Sequence, residues 1–572
     1  MRLLYTLAKR PNIRFQSLTG LLLATALLVV LNLLSQQFFL RLDLTAEKRY
    51  TLAKPSRELA KGLKDVAYFK IYLEGDFPAG YKHLQKATLE ILEEYRAYAG
   101  ANIEFEFEDP FEKAGTQEEK DKITEQLYKK GLQPMPVKLD ETDELSTKTI
   151  IPGAVVSYQG KEFPLNLMRQ QFFPGANNEE ELNKSVENLE YCISDVLRKC
   201  VTEKKKRIGF TAGHGELPRD ELASAANGLM ESYDVERIKL QDLPPAELNK
   251  YDVLVVAKPD SIYNPYERFK LDQYVMHGGK VLWLLENVVA DMDSISRYKE
   301  FLTPTIETGL EELLFKYGAR VNYSLLSDLQ CNFIPVIKQM QNGQPGQDMV
   351  PWTFYPILSS TSKHPIVKNL EPVWGQFTCT IDTVGGKGIR KTVLLSSSDH
   401  SRTLSSPVMI SIKNSVVRQQ DMGLFNKANL PVSVLLEGEF KSFFANYTMD
   451  SVPAELDFKS ESPESRMIVV GDGDIIRNQV KRSTGEIYPL GYDRYTRTTF
   501  GNMKFIQNCI DYLLDGHGLI EVRTKEFQVR LLDRAKVKQE RFKWQVINMA
   551  LPLLLLFVFA GANNAVRRKK YG

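Results

Sequence analysis

Four apolar runs, each ending in a turn, place the tightest constraint on this chain. They are "RIGFTA" (207–212), "YDVLVVAKP" (251–259), "KVLWLLE" (280–286) and "RMIVVGDGD" (466–474). Each is six to nine residues, with a core of mostly β-branched or large apolar side chains and no alternation of polar residues. That pattern reads as strands buried on both faces. A further strand, "DVERIKL", and helical stretches such as "ELASAANGLMES", "YERFKLDQYVMHGG" and "FGNMKFIQNCIDYLLDG" lie between or after them. Strands and helices alternating at this spacing predict a parallel sheet with right-handed crossovers and helices on both faces. The reading is a doubly wound, flavodoxin-like α/β domain over 206–520. Its pattern blurs between about 289 and 465, where an insertion of mixed elements extends the sheet.

Ahead of it, residues 50–175 alternate in a different order. "VAYFKIYL" is a strand, "HLQKATLEILEEYRAYAG" a helix stopped at Gly100, and "NIEFEFEDP" a half-buried strand. "QEEKDKITEQLYKKG" is a polar helix, and "TIIPGAVVSYQGKEFPL" two strands around a Gln-Gly turn. This order suggests a thioredoxin-like α/β domain. It has no C-x-x-C pair, so redox chemistry is not supported. A connecting helix is expected over 179–205, with "TEKKKR" as a solvated linker at its end. The five cysteines are scattered along the chain, and no disulfide framework or zinc site is readable from them.

Both ends carry a membrane signal. Leu18 to Leu34 contains no charge and follows Lys9, Arg10 and Arg14; Val546 to Val566 runs directly into Arg567, Arg568, Lys569 and Lys570. Apolar runs of this length are read as spans, and their basic flanks stay in the cytoplasm. The expectation is a transmembrane helix at 18–38 after a cytoplasmic stretch (1–17). A stalk helix (521–544), a second transmembrane helix (545–565) and a basic cytoplasmic tail (566–572) should close the chain. Both termini would then lie on the cytoplasmic side of a bacterial inner membrane, with the main body in the periplasm. Lys and Arg number 74 against 72 Asp and Glu, a balance that gives no reason to expect nucleic acid.

Chemistry narrows to two turns. "GGKGIRKT" (385–392) has the composition of a phosphate loop but not its spacing, so ATP hydrolysis is not expected. The chain also lacks a G-x-S-x-G elbow and an H-E-x-x-H helix. "TAGHGE" carries His214 and Glu216, and "GDGD" carries Asp472 and Asp474. Both fall at carboxyl ends of expected parallel strands, the edge where doubly wound sheets hold ligands. His with carboxylates suits a ligand, a metal or acid/base work. The plainer reading is that glycines permit tight turns and the polar side chains cap the next helix or bond a neighbouring loop. Ligand binding by His214, Glu216, Asp472 and Asp474 is the site expectation, with no catalytic residue, no metal and no cofactor.

Several stretches in order carry a family resemblance. "RLDLTAEKRYTLAKPSRELAKGL", "IGFTAGHGEL", "YDVLVVAKP" with "LDQYVMHGGKVLWLLE", and "IVVGDGDIIRNQ" with "GNMKFIQNCIDYLL" together resemble the GldG-type auxiliary components of ABC transporters linked to gliding motility. Such components are commonly described as substrate-binding. The resemblance implies a non-catalytic subunit working with a GldF-like permease and a GldA-like cytoplasmic ATPase, in gliding or surface-protein export. A periplasmic or envelope partner fits the same picture. Two other readings stay open: a membrane-anchored solute-binding receptor, and a metal-dependent hydrolase using His214 and Asp472.

Overall fold

The computed structural model describes residues 20–30, 51–138 apart from 76 and 113, 147–168, 178–515 apart from 203, 204, 340–344, 387, 413–418 and 447–456, and 534–571. Within these the chain is a mixed α/β protein with several sheets.

The described residues up to Lys525 form one compact unit; its first part, called the first domain below, runs α1 (Lys54–Lys61), β1 (Ala67–Ile71), α2 (Ala79–Ala99), β2 (Ile103–Phe107), α3 (Gln117–Lys129), β3 (Gly153–Tyr158), β4 (Lys161–Asn166) and α4 (Asn178–Val201). Its four-stranded sheet has the order β2-β1-β3-β4. β1 and β2 are parallel, while β3 is antiparallel to β1 and β4 to β3. The tight β3–β4 turn is made by Gln159 and Gly160, both at positive φ, as a two-residue hairpin requires. Phe69, Ile71, Ile103 and Val156 of the sheet form one core with Leu84, Leu92 and Tyr95 of α2 and Leu189, Ile193 and Leu197 of α4. α3 covers the other face with a smaller cluster around Leu127, Leu132 and Val155. Its start is fixed by a capping box between Thr116 and Glu119.

The second part of this unit, called the second domain below, is built on a seven-stranded sheet. Its elements are β5 (Arg207–Ala212), α5 (Arg219–Met230), β6 (Asp234–Lys239), β7 (Val253–Ala257), α6 (Pro265–Met276), β8 (Lys280–Leu284), β9 (Arg390–Ser396), β10 (Pro431–Lys441), β11 (Glu461–Val470) and α7 (Asn502–Leu514). The strand order is β9-β10-β11-β8-β7-β5-β6. β6, β5, β7, β8 and β11 run parallel, and β10 and β9 add an antiparallel edge. Two stretches inside 289–465 therefore return to the main sheet. The rest of that segment forms smaller sheets, including one centred on Ala319–Asp328 and a hairpin of Cys331–Gln339 with Pro345–Leu358.

The period of two along each strand divides the core. Val253 and Val255 join Ile208, Phe210, Ile468 and Val470 under α5 and α7, with Leu222, Leu229, Phe505 and Ile510. Leu254, Val256 and Trp283 face the other way, toward Phe269 and Tyr274 of α6 and Tyr317 beyond it.

A separate unit holds the last described helix, α8 (Arg534–Tyr571). Within it Glu540–Val566 is apolar enough to cross a membrane, with a mean hydropathy of 2.0. The expected stalk and span are thus parts of one continuous helix from Arg534, and 521–533 lie outside the described residues. Of the expected span at 18–38, the described part is an eleven-residue apolar helix, Gly20–Val30.

Candidate functional site

Both turns sit where the sequence placed them, at carboxyl ends of parallel strands. After β5 the chain turns through Gly213 (φ 119) and Gly215 (φ 74). The second glycine is favoured on two grounds. Its φ lies in the left-handed region, and a Cβ there would stand 1.6 Å from Asp260 Oδ1. The His214 carbonyl accepts from the amides of Asp260 (2.9 Å) and Ser261 (3.2 Å), which pins the turn to the loop after β7.

The His214 ring is buried, at 3% exposure. It stacks on Tyr263 with ring centroids 3.8 Å apart and an interplanar angle of 15°. Its Nε2 pairs with Glu267 Oε2 at 2.9 Å. Glu267 is also the N3 residue of the α6 capping box, accepting from the Asn264 amide at 2.9 Å. Glu216 accepts from the His214 amide at 2.6 Å and from the Tyr263 hydroxyl at 3.1 Å. His214 Nδ1 has no hydrogen-bond partner among the described residues and lies 3.9 Å from Glu216 Oε1. The group thus packs into itself at the crevice between β5 and β7, the point where the strand order reverses.

The second turn comes after β11. Asp472, fully buried, accepts from the Gln376 amide (2.8 Å), the Thr378 hydroxyl (2.6 Å) and the Asp474 amide (2.9 Å). Asp474 pairs with Lys258 Nζ at 2.7 Å and with Arg477 at 3.3 Å. Lys258 also meets Glu286 at 3.1 Å, and Arg477 meets Glu221 at 2.8 Å. A ladder of alternating acidic and basic side chains therefore runs Glu286, Lys258, Asp474, Arg477, Glu221. It ties the loops after β7, β8 and β11 to the first turn of α5.

Burial sets the ionisation of this group. It pushes the Glu286 and Asp472 carboxyls above the usual carboxylate range, and the neighbouring Asp474 charge adds to this for both. Asp474 goes the other way despite its burial, because Lys258 and Arg477 hold it ionised. Oxygens of Glu286, Asp472 and Asp474 all lie within 4.8 Å of one another, a set of hard ligands that would suit a cation. The Lys258 ammonium already stands against two of the three, so the positive charge there comes from the chain itself.

The structure brings His214 and Glu216 together, and separately Asp472 and Asp474. It does not bring the pairs to one point. β7 and β8 separate β5 from β11, and three strand spacings amount to roughly 14 Å. Sequence reasoning missed Lys258, Tyr263, Glu267, Glu286 and Arg477. Two of these carried a readable signal, since Lys258 and Glu286 each stand at the end of an apolar strand run, the same place as His214 and Asp472. "TEKKKR" also does more than link. Lys205 Nζ donates to the Met230 carbonyl and Lys206 Nζ to that of Leu514, both at 2.9 Å. They cap the carboxyl ends of α5 and α7, where positive charge is favoured.

Comparison with known proteins supplies a family. Residues 205–509 match the pattern of a family described as an ABC-type uncharacterized transport system, and residues 46–157 match a domain of unknown function. An uncharacterized protein of Borreliella burgdorferi is 19% identical over 551 residues, covering 93% of this chain and 94% of its own. Among solved structures, the mmIFT52 N-terminal domain aligns at 15% identity with a TM-score of 0.31, over 54% of this chain and 98% of that one. A thua-like protein from Parabacteroides merdae aligns at 11% identity with a TM-score of 0.25, over 55% of this chain and 91% of that one.

Proposed function

Because the chain belongs to the ABC-type uncharacterized transport system family, matched over residues 205–509, we propose that it is a non-catalytic auxiliary subunit of an ABC-type transporter. It works beside a separate permease and a separate cytoplasmic ATPase. Family membership carries this reading. The sequence agrees with it, since no phosphate loop is present and nucleotide hydrolysis must come from another chain. The GldG-type resemblance extends it to gliding motility or surface-protein export, with a GldF-like permease and a GldA-like ATPase as partners.

In this proposal the protein sits in a bacterial inner membrane with both termini cytoplasmic and its body in the periplasm. The apolar stretch Glu540–Val566 and the basic residues after it support that orientation. The β2-β1-β3-β4 order of the first sheet supports a thioredoxin-like first domain. A flavodoxin-like second domain is supported by the parallel order β6-β5-β7-β8-β11. His214, Glu216, Asp472 and Asp474 close the carboxyl edge in the state described, and a ligand would reach them only if their networks open.

Protease accessibility in spheroplasts tests the orientation: the body should be cleaved from outside and the tail protected. Metal analysis tests the absence of catalysis. A stoichiometric metal lost on His214→Ala would favour the metal-dependent hydrolase, which needs His214 and Asp472 at one centre. A solute-binding receptor is the second reading, and one observation favours it: a cleft of about 510 Å³ lies between the two domains.

A further inference from the structure

Doubly wound proteins ordinarily hold ligands at the carboxyl edge of the sheet. Here that edge is occupied by the His214 and Lys258 networks. The 510 Å³ cleft lies at the opposite, amino-terminal edge, where the first domain meets the second. Its volume falls in the range of small-molecule sites, and domain boundaries are where such sites concentrate. The β3–β4 turn forms one wall, the end of α4 the floor, and the ends of α5 and α7 the far wall.

Four carboxylates line the cleft, Asp195, Glu231, Asp511 and Asp515, and two of them are already engaged. Asp195 accepts from Arg198 (2.7 Å) and Lys199 (3.0 Å). Asp511 accepts from the hydroxyls of Tyr233 (2.6 Å) and Tyr191 (3.3 Å). The cations of the rim are less fully used. Lys205 and Lys206 are anchored by helix carbonyls rather than by carboxylates, and an ammonium has three donors to offer. Lys161 is exposed on the β3–β4 turn and makes no ion pair among the described residues. Lys161, Arg198, Lys199, Lys205 and Lys206 stand against those four carboxylates, a balance of one positive charge in the lining. Lys280, at the start of β8, is held down to about 8 by burial and by the nearby Arg466 and Lys206. Tyr158 and Phe163 line the same cleft and give it an aromatic wall.

We propose that this cleft binds a small organic anion, a phosphate or carboxylate carried on an aromatic or apolar body. Lys161 and Lys206 meet the charge, and Tyr158 and Phe163 meet the body. Such a ligand bridges the hairpin turn of the first domain to the linker of the second, so its binding couples the two. The inference goes beyond membership of a transporter complex and has its own readout.

Isothermal titration of the intact, detergent-solubilised chain with phenyl phosphate tests it. One saturable site is expected, with no binding of benzylamine, which keeps the ring and inverts the charge. Lys161→Glu should weaken phenyl phosphate by about tenfold or more, from the loss of one charge contact and the gain of a repulsive one. Lys239→Glu, on an exposed lysine at the far edge of the sheet, should leave it unchanged. Displacement by phosphatidylglycerol in the micelle would identify a lipid headgroup as the source of the anion, and lack of displacement a soluble one; both support the site. No saturable binding of phenyl phosphate, equal binding of benzylamine, or unchanged affinity in Lys161→Glu would overturn it. None of these results bears on whether the chain co-purifies with a permease.

Discussion

At the scale of single residues, the carboxyl edge behaves as a set of mutual dependencies. Lys258 is the one cation shared by Glu286 and Asp474 among the described residues. Removing one partner of a buried ion pair leaves uncompensated charge and costs about 3–5 kcal/mol. Lys258→Met should therefore lower stability by about that much in denaturant unfolding of the solubilised chain, and a loss under about 1 kcal/mol would show the network to be incidental. The raised carboxyls fix the pH dependence. A group whose folded pKa is raised contributes stability that is fully present below its unfolded pKa and lost as pH rises through the folded value. Glu286 and Asp472 are both of this kind. The melting temperature should thus fall as pH climbs from the ordinary carboxylate range past neutrality. Glu286→Gln keeps an acceptor for the Gly473 amide while removing one of the two titrations, so its melting temperature should fall less steeply over the same range. An identical slope in wild type and variant would refute the assignment. Gly215→Ala should lower stability by about 1 kcal/mol, because its φ of 74° lies in the left-handed region and the Asp260 side chain must move aside for the new Cβ; wild-type stability in that variant would contradict the turn geometry.

At the scale of elements, the strands were legible because burial on both faces leaves a signature in composition. "VLVVA" and "VLWLL" admit few other readings, and β7 and β8 fall on them. Helix ends were legible where glycine stops them, as at Gly100 after α2. The stretch 289–465 was not, because β9 and β10 return to the main sheet antiparallel to their neighbours after long excursions. Nothing local in "RKTVLLS" says which strand it will pair with. Of the site, residue types and sheet edge were readable, but not the partners. Tyr263, Glu267 and Lys258 meet His214 and Asp474 only through the crossover topology, which brings distant loops side by side. The basic linker shows a related limit. Its charge reads as solvated until the carboxyl ends of α5 and α7 are in place beside it. Lys206→Met should lower stability by about 0.5–1 kcal/mol through the lost contact to the end of α7, with a smaller effect at high salt. Equal effects at low and high salt would point to packing instead.

For the whole molecule, family membership and the networks filling the carboxyl edge point the same way, to a subunit that acts through contacts. Among the described residues, one helix is long and apolar enough to cross a membrane. The most direct measurement is affinity purification of the intact chain from native membranes in mild detergent, with mass spectrometry of the proteins that accompany it. The account predicts a multi-span permease and an ATPase with a phosphate loop in fixed ratio to the chain, retained in His214→Ala and Asp472→Asn. Recovery of the chain without either of them would contradict it.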